Sequence, residues 1–350
     1  MQRRKFGKSD IEVSPIGMGC WSYGGGEYWG EQSQNDVNNV VRKALDLGIN
    51  LFDTAEMYNN GASEGSLGVA LKGVRNKAVV CSKISPSNAR PETLRKHCEA
   101  SLERLGTDYM DIYMLHWPIS QIAIKHFTND RDLIEKPPSV QDAFDTLMRL
   151  KKEGKIRYIG ISNFGVEQMS EAINTGAEII INEMPYNILS RAIEKEIVPF
   201  CIKNHISVIG SMALQQGLLA GIYKIADDVP PNQAHSRHFK HERGAGTSRH
   251  GGNGAEKEIF EAIGKIGKVA DDLDIHIAQL AISWVLSKPG IDCTLVGSRN
   301  IKELEANIKA GSLTLEREVL EKIDGISEPV LKKLGFNPDY YESEEHSRIR

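Results

Sequence analysis

Four side chains able to hold or move a proton stand just past short apolar runs in this sequence: Asp53, Tyr58, Lys83 and His116. Asp53 closes Leu51-Phe52, Lys83 closes Val79-Val80-Cys81-Ser82, and His116 closes Asp111-Ile112-Tyr113-Met114-Leu115. Tyr58 follows Asp53 in a loop rich in Asn and Gly. Alone, each has an ordinary explanation: a strand-end lysine with its head in water, an aspartate capping a turn, a packing tyrosine, a satisfied core histidine. Together they form a proton-donating set with the phenol as donor. A buried Lys and Asp would have to pair, since either charge alone is costly. An ammonium beside a phenol stabilises phenolate, so Lys83 is expected to lower the Tyr58 pKa and make it a usable acid near neutral pH.

The elements around them must bring scattered residues to one place. Short apolar runs alternate with longer amphipathic segments, the pattern of repeated βα units. Eight strands are expected near residues 15–20, 49–54, 78–82, 111–116, 157–161, 178–183, 207–212 and 293–297. The predicted fold is α/β, a (β/α)8 TIM barrel, whose strand C-termini all open onto the face that carries chemistry. Helices are predicted over 36–47, with Val37, Val40, Val41, Ala44 and Leu45 on one face. Others follow over 90–105, with Pro91 in the first turn and Gly106 after the last, over 139–152, capped by Ser139, and over 279–286 before Pro289. Arg4 to Val13 reads as an N-terminal β-hairpin outside the repeat. The connections 119–138 and 217–256 are long enough to be catalytic-face lids, and with 22–32 they would carry specificity.

Composition excludes several function classes. The chain has 350 residues, 40% hydrophobic and 26% charged, with a net charge of −4; that balance gives no reason to expect nucleic-acid or membrane partners. No stretch approaches the roughly 20 apolar residues of a membrane span, and no apolar run follows the basic start Met1 to Lys5 as a secretory signal would require. Cys20, Cys81, Cys98, Cys201 and Cys293 are dispersed and form no CxxC pair. The expectation is a cytoplasmic protein with reduced thiols. It is a single domain over 1–350, with the barrel core about 4–330 and a polar C-terminal tail 331–350 that is mobile or docks on a neighbouring subunit.

The run Gly48-Ile49-Asn50-Leu51-Phe52-Asp53-Thr54-Ala55-Glu56-Met57-Tyr58, with Ser63-Glu64-Gly65-Ser66-Leu67-Gly68 after it, resembles the signature of the aldo-keto reductases. So do Leu115-His116-Trp117-Pro118, the run Gly154 to Phe164, the run Ser211 to Leu219, and Val296-Gly297-Ser298-Arg299. The resemblance implies a barrel that binds a nicotinamide dinucleotide in extended form, NADP with NAD as the alternative. No GxGxxG follows a strand, so no dinucleotide fingerprint supplies the phosphate grip. By the same resemblance Tyr58 is the general acid, Lys83 and Asp53 tune it, and His116 orients the carbonyl. Ser162, Asn163 and Glu183 face the nicotinamide, beside Gly19, Cys20 and Trp21 of the first strand loop. Ser211, Leu214, Gln216 and Gly217 take the pyrophosphate side. Gly297, Ser298, Arg299, Glu303 and Asn307 take the adenosine end. Trp21, Tyr58, His116 and Trp117 would line the substrate pocket.

Two departures from the family pattern stand out. Glu183 occupies a position where the family usually has Gln; a carboxylate accepts from a carboxamide NH2 but cannot donate to its oxygen. Glu303 offers an anion near the adenosine ribose, which suits a free diol, whereas Arg299 offers a cation suited to a 2′-phosphate. The segment after strand seven carries His235, Arg237, His238, His241, Arg243, Arg249 and His250. No flanking acid or Cys completes a metal site there, so no metal is expected, and a basic lid over cofactor phosphate or an oxygenated substrate is. The implied activity is hydride transfer between a nicotinamide and the carbonyl or alcohol of an aldehyde, ketone or sugar-like polyol, a role in sugar metabolism included. The rival is a cofactor-binding regulatory subunit on the same barrel. The substrate is a small molecule, and homo-oligomerisation is left open.

Overall fold

The computed structural model describes all 350 residues. Strands β1 (Arg4–Lys5) and β2 (Glu12–Val13) pair antiparallel as a small hairpin. Eight parallel strands then close a barrel in chain order: β3 (Ile16–Gly19), β4 (Leu51–Asp53), β5 (Val79–Ile84), β6 (Met110–Leu115), β7 (Ile156–Ser162), β8 (Ile179–Pro185), β9 (Ser207–Ser211) and β10 (Ile291–Val296), which returns to β3. Every expected strand is present, displaced by only a few residues.

The hairpin has a packing role. Phe6, Ile11 and Val13 are buried and join Leu51, Cys81, Ile112, Met114, Ile181, Ile209, Cys293 and Leu295 in one apolar cluster inside the barrel. The hairpin therefore plugs the N-terminal end, leaving the C-terminal end for chemistry. Asp111 braces that lower end: its carboxylate accepts from the Val80 amide at 2.9 Å and pairs with Arg75 at 2.8 Å and Arg157 at 3.1 Å.

The helices follow local sequence signals. Helix α1 (Gln34–Asp46) buries Val37, Val40, Val41 and Ala44 and is capped by Ser33. After α2 (Ala62–Leu71), α3 (Pro91–Leu105) opens on Pro91 and stops at Gly106, whose φ of 62° is the left-handed stop that glycine tolerates. The segment after β6 contains two short helices, α4 (Gln121–Ile124) and α5 (Arg131–Glu135). Then α6 (Val140–Lys152) begins at Ser139, whose hydroxyl accepts from the Asp142 amide at 3.2 Å. The ring is completed by α7 (Val166–Asn174), α8 (Ile197–Asn204), α9 (Glu256–Asp272), α10 (Ile277–Leu286), α11 (Ile301–Ile308) and α12 (Arg317–Leu334). No helix is long and apolar enough to cross a membrane.

The C-terminal segment departs from expectation. Residues 331–334 are the last turn of α12, so the tail begins at Gly335. It is pinned to its own barrel, not loose. Arg348 and Asp339 form a buried ion pair at 2.7 Å. The Arg348 guanidinium lies 3.6 Å above the Trp117 ring, and the Arg350 carbonyl accepts from the Glu167 amide at the start of α7 at 3.0 Å. Part of the polar composition here, Asp339, Glu342 and Arg348 above all, reflects side chains paired within the protein, which a sequence count cannot distinguish from side chains facing water.

Candidate active site

Strand parity builds the site. Successive side chains on a strand point to opposite faces. Leu51, Cys81 and Ile181 belong to the inner apolar cluster; two residues on, Asp53, Lys83 and Glu183 make the next inward layer, at the C-terminal mouth. Lys83 is wholly buried, and Asp53 and Glu183 nearly so. The Lys83 ammonium donates to Asp53 Oδ2 at 2.5 Å, to the Thr54 carbonyl at 3.1 Å and to the Tyr58 hydroxyl at 3.3 Å. Glu183 Oε2 lies 3.3 Å from the same nitrogen. His116 tops β6, its ring steeply inclined to that of Tyr58 at 75° with centroids 5.6 Å apart. The four residues expected to converge do so, and Glu183 joins them.

The electrostatics correct one expectation. Burial pushes the Tyr58 phenol well above its ordinary value; Lys83 opposes this, and the Asp53 and Glu183 charges add to it. The hydroxyl is thus held protonated, not brought toward neutrality, because desolvating a phenolate costs more than one ammonium returns when that ammonium already faces two carboxylates. The His116 imidazole is pushed well down by burial, then by the Lys83 and Arg348 cations. It stays neutral, with one N–H to donate and one acceptor nitrogen. Asp53 is pushed well up, by burial first and by the Glu183 charge second, against the pull of Lys83.

Other anticipated residues lie around this mouth. Ser162 and Asn163 end β7, buried; Asn163, with φ 63°, donates to the His116 carbonyl at 3.1 Å and to Ser162 Oγ at 3.0 Å. Gly19, Cys20 and Trp21 follow β3. Ser211 ends β9, and Leu214 precedes Gln215, Gln216 and Gly217, all three with positive φ; backbone turns of this kind make anion-binding concavities. Gly297 and Ser298 follow β10, and Asn307 on α11 donates to Ser298 Oγ at 3.3 Å. Arg299 turns toward the first loop, where its Nε donates to Gln32 Oε1 at 2.8 Å, while Glu303 Oε2 accepts from the Arg299 amide at 2.9 Å. Both stand at the start of α11, as the sequence implied.

The basic lid is a second correction. Arg243 pairs with Glu256 and Asp227, each at 2.7 Å. Arg249 pairs with Glu342 at 2.9 Å. Arg237 donates to the carbonyls of Leu334, Asn337 and Asp339, and His238 contacts Ser190 Oγ at 2.8 Å. The arginines tie the lid to itself and to the tail, and His238 ties it to the loop after β8; they face protein partners, which sequence order could not pair. Trp117, expected in the pocket, has its ring covered by Arg348.

Sequence reasoning placed Trp21 and Tyr58 at the pocket but missed the aromatic rings that join them over the mouth. Trp21 stacks on Tyr58 at 5.8 Å between centroids and on Tyr28 at 4.9 Å, with Trp29 edge-on at 5.3 Å. His235 from the lid stacks on Tyr341 from the tail at 5.1 Å. The density of Trp21, Tyr23, Tyr28 and Trp29 in one loop was the available signal.

A closed parallel barrel with this cluster at its mouth defines a TIM-barrel enzyme site, and comparison with known proteins narrows the class. Residues 15–328 match the sequence model of the Aldo/keto reductase family, and the chain belongs to that family. It is 32% identical over 361 aligned positions to the NADH-specific methylglyoxal reductase of Escherichia coli (93% of this chain, all of that one). It is 30% identical over 343 positions to the aldo-keto reductase YhdN of Bacillus subtilis (94% of each). Among solved structures, a glycerol dehydrogenase from Gluconobacter oxydans superposes with a TM-score of 0.74 at 26% identity, covering 96% of this chain and 97% of that one. An aldo/keto reductase from Klebsiella pneumoniae in complex with NADP and acetate gives 0.69 at 27%, covering 93% and 95%.

Proposed function

We propose that the whole chain acts as one barrel domain that reduces the carbonyl of a small aldehyde, ketone or sugar-like substrate, and oxidises the alcohol in reverse. The observation that carries this reading is the Tyr58 hydroxyl, 3.3 Å from an ammonium that is itself paired to Asp53. A substrate carbonyl oxygen between Tyr58 and His116 receives a hydrogen bond from each and the proton from Tyr58. Neutral His116 orients that oxygen without competing as an acid. Trp21 and Tyr28 give the substrate an apolar wall that keeps water from the reacting carbon.

A nicotinamide dinucleotide supplies the hydride when bound. The residues present fit it. Glu183, whose Oε2 faces Lys83, has a second carboxylate oxygen to offer as acceptor, and Gln216 Nε2 is a buried donor without a hydrogen-bond partner. Ser162 and Asn163 flank the first, and the left-handed turn at Gln216 and Gly217 carries the second. Gly297, Ser298, Arg299 and Asn307 would hold the adenosine end. The Klebsiella relative binds NADP and the Escherichia relative is NADH-specific. We favour NADP here because Arg299 and the α11 N-terminus both suit a 2′-phosphate. Five separate buried thiols agree with a cytoplasmic location.

Tyr58→Phe is the direct test. General acid catalysis is worth about 10² to 10⁴ in rate, so single-turnover reduction of a responsive aldehyde with NADPH should fall by that factor while cofactor fluorescence titration stays within about twofold. Turnover within about threefold of the parent removes Tyr58 as the donor.

A further inference from the structure

The catalytic mouth holds one more carboxylate than its single ammonium can neutralise. Lys83 sits between Asp53 Oδ2 at 2.5 Å and Glu183 Oε2 at 3.3 Å. Asp53 Oδ1 and Glu183 Oε2 have no other partner, and both are buried. The two carboxyls meet on one nitrogen, each within 3.3 Å of the Lys83 ammonium, and so are close neighbours in the same inward layer. Two buried carboxylates this close cannot both ionise cheaply, and one of them holding a proton removes the repulsion and supplies the missing hydrogen bond.

No other group nearby can take that role. The facing titratable groups are Cys20 after β3, Tyr58 in the loop after β4, and Cys81 and Lys83 on β5, with both thiols pushed well up by burial and then by the Asp53 charge. From β6 comes His116, held neutral by burial. The strands flanking Glu183 present Ser162 on β7 and Ile209 on β9 at its register, neither of which titrates.

We propose that Asp53 and Glu183 share one proton, and that this proton refills Tyr58 through Lys83 after each reduction. The proposal rests on the reductase reading above. In the forward step the Tyr58 O–H bond breaks and the alcohol O–H forms, as hydride from a dihydronicotinamide reaches the carbonyl carbon. A Lys83 N–H then breaks as the Tyr58 O–H reforms. Last, the shared carboxyl O–H breaks and the Lys83 N–H reforms, leaving two carboxylates that one proton from solvent restores. The negative charge comes to rest on the carboxyl pair, not on a phenolate beside the substrate. Glu183 acts through Lys83 and so is a positioning residue. With glutamine in its place Asp53 would simply pair with Lys83, and no proton would be stored.

Two measurements on the full-length protein test this. Infrared spectra of resting protein at neutral pH should contain a buried protonated-carboxyl band that shifts on deuteration and is lost in both Glu183→Gln and Asp53→Asn. Stopped-flow single turnovers with NADPH and a reducible aldehyde should show a transient phenolate absorbance in Glu183→Gln, up to one equivalent per site, and none in the parent. The near-isosteric pair of variants, checked by thermal denaturation, guards against a folding defect in one of them. A parent without the band, or a band that survives in Glu183→Gln, overturns the shared proton. Loss of the band with identical phenolate traces overturns the relay. A protein that shows the band and reduces no carbonyl refutes the reductase reading, and the relay with it, while the shared proton stands.

Discussion

Replacing Lys83 with Met keeps the volume and removes the charge, leaving Asp53 and Glu183 facing each other without a cation. In the parent, Lys83 is raised well above its ordinary pKa despite the downward pull of burial, because Asp53, Glu183 and Tyr58 favour the ammonium. A raised lysine is fully charged in both states well below its unfolded value of about 10.4, so titration of Lys83 itself adds no pH dependence from acid to neutral pH. Removing one partner of a buried pair costs about 3–5 kcal/mol. The entropy of unfolding is about 2.1 cal/mol/K per residue, which for 350 residues comes to about 0.7 kcal/mol/K, so the melting temperature should fall by about 4–7 °C.

The loss should also depend on pH, with a definite sign. Asp53 is already raised by burial and by Glu183, and without Lys83 it rises further. A carboxyl with its folded pKa above the unfolded value of about 3.9 binds more protons when folded, so stability declines as pH climbs between the two values. Differential scanning calorimetry of Lys83→Met at about pH 5 and about pH 8 should therefore give the larger deficit at pH 8. A deficit under about 1 kcal/mol, or one equal at both pH values, would refute the view that Lys83 neutralises a buried carboxyl pair.

Other outcomes follow from particular contacts. Phe6→Ala empties the barrel plug and should cost about 3–5 kcal/mol in denaturant unfolding, with kcat unchanged; a loss below about 1 kcal/mol would mean that the hairpin does not seal the core. Gly165→Ala would bring a Cβ to 2.0 Å from the Arg350 carbonyl, so limited proteolysis should remove residues after 335 faster than in the parent. Burial raises the Asp339 carboxyl, but its bonds to Arg348 hold it below the ordinary value; that contribution exists above the unfolded pKa and is lost as pH falls through the folded one, so hydrogen exchange should show the tail opening below about pH 4 and staying protected at neutral pH. Arg299→Ala should weaken NADP about tenfold to a hundredfold, the worth of a charge-assisted hydrogen bond, and leave NAD within twofold; dissociation constants showing the reverse would point to Glu303.

The barrel was legible because its signals are local. Apolar runs of strand length, Pro91 and Gly106 at the ends of α3, and Ser139 before α6 each act within a few residues of themselves. The tail was not legible for the opposite reason. Arg348 finds Asp339 within the tail and the Trp117 ring across the barrel mouth, and nothing in the order of residues joins 348 to 117. The same holds for Arg237, Arg243 and Arg249: a basic cluster in sequence became separate cations, each satisfied by an acid or carbonyl that folding alone delivers.

The convergence of Asp53, Tyr58, Lys83 and His116 could be read from strand ends, because a parallel barrel sends every strand end to one rim. Their protonation states could not, because burial dominates them and burial is a property of the assembled mouth. The sequence did hold a clue to the carboxyl pair. Ile181 is two residues before Glu183, Leu51 two before Asp53 and Cys81 two before Lys83, and parity puts all three polar side chains in one inward layer. What parity lacks is distance across the barrel. A glutamate on β8 can reach a lysine on β5 only because the closed barrel narrows the interior to side-chain width. The 3.3 Å between Glu183 and Lys83 is thus a consequence of closure, and it places a second carboxylate on the ammonium that meets the Tyr58 hydroxyl.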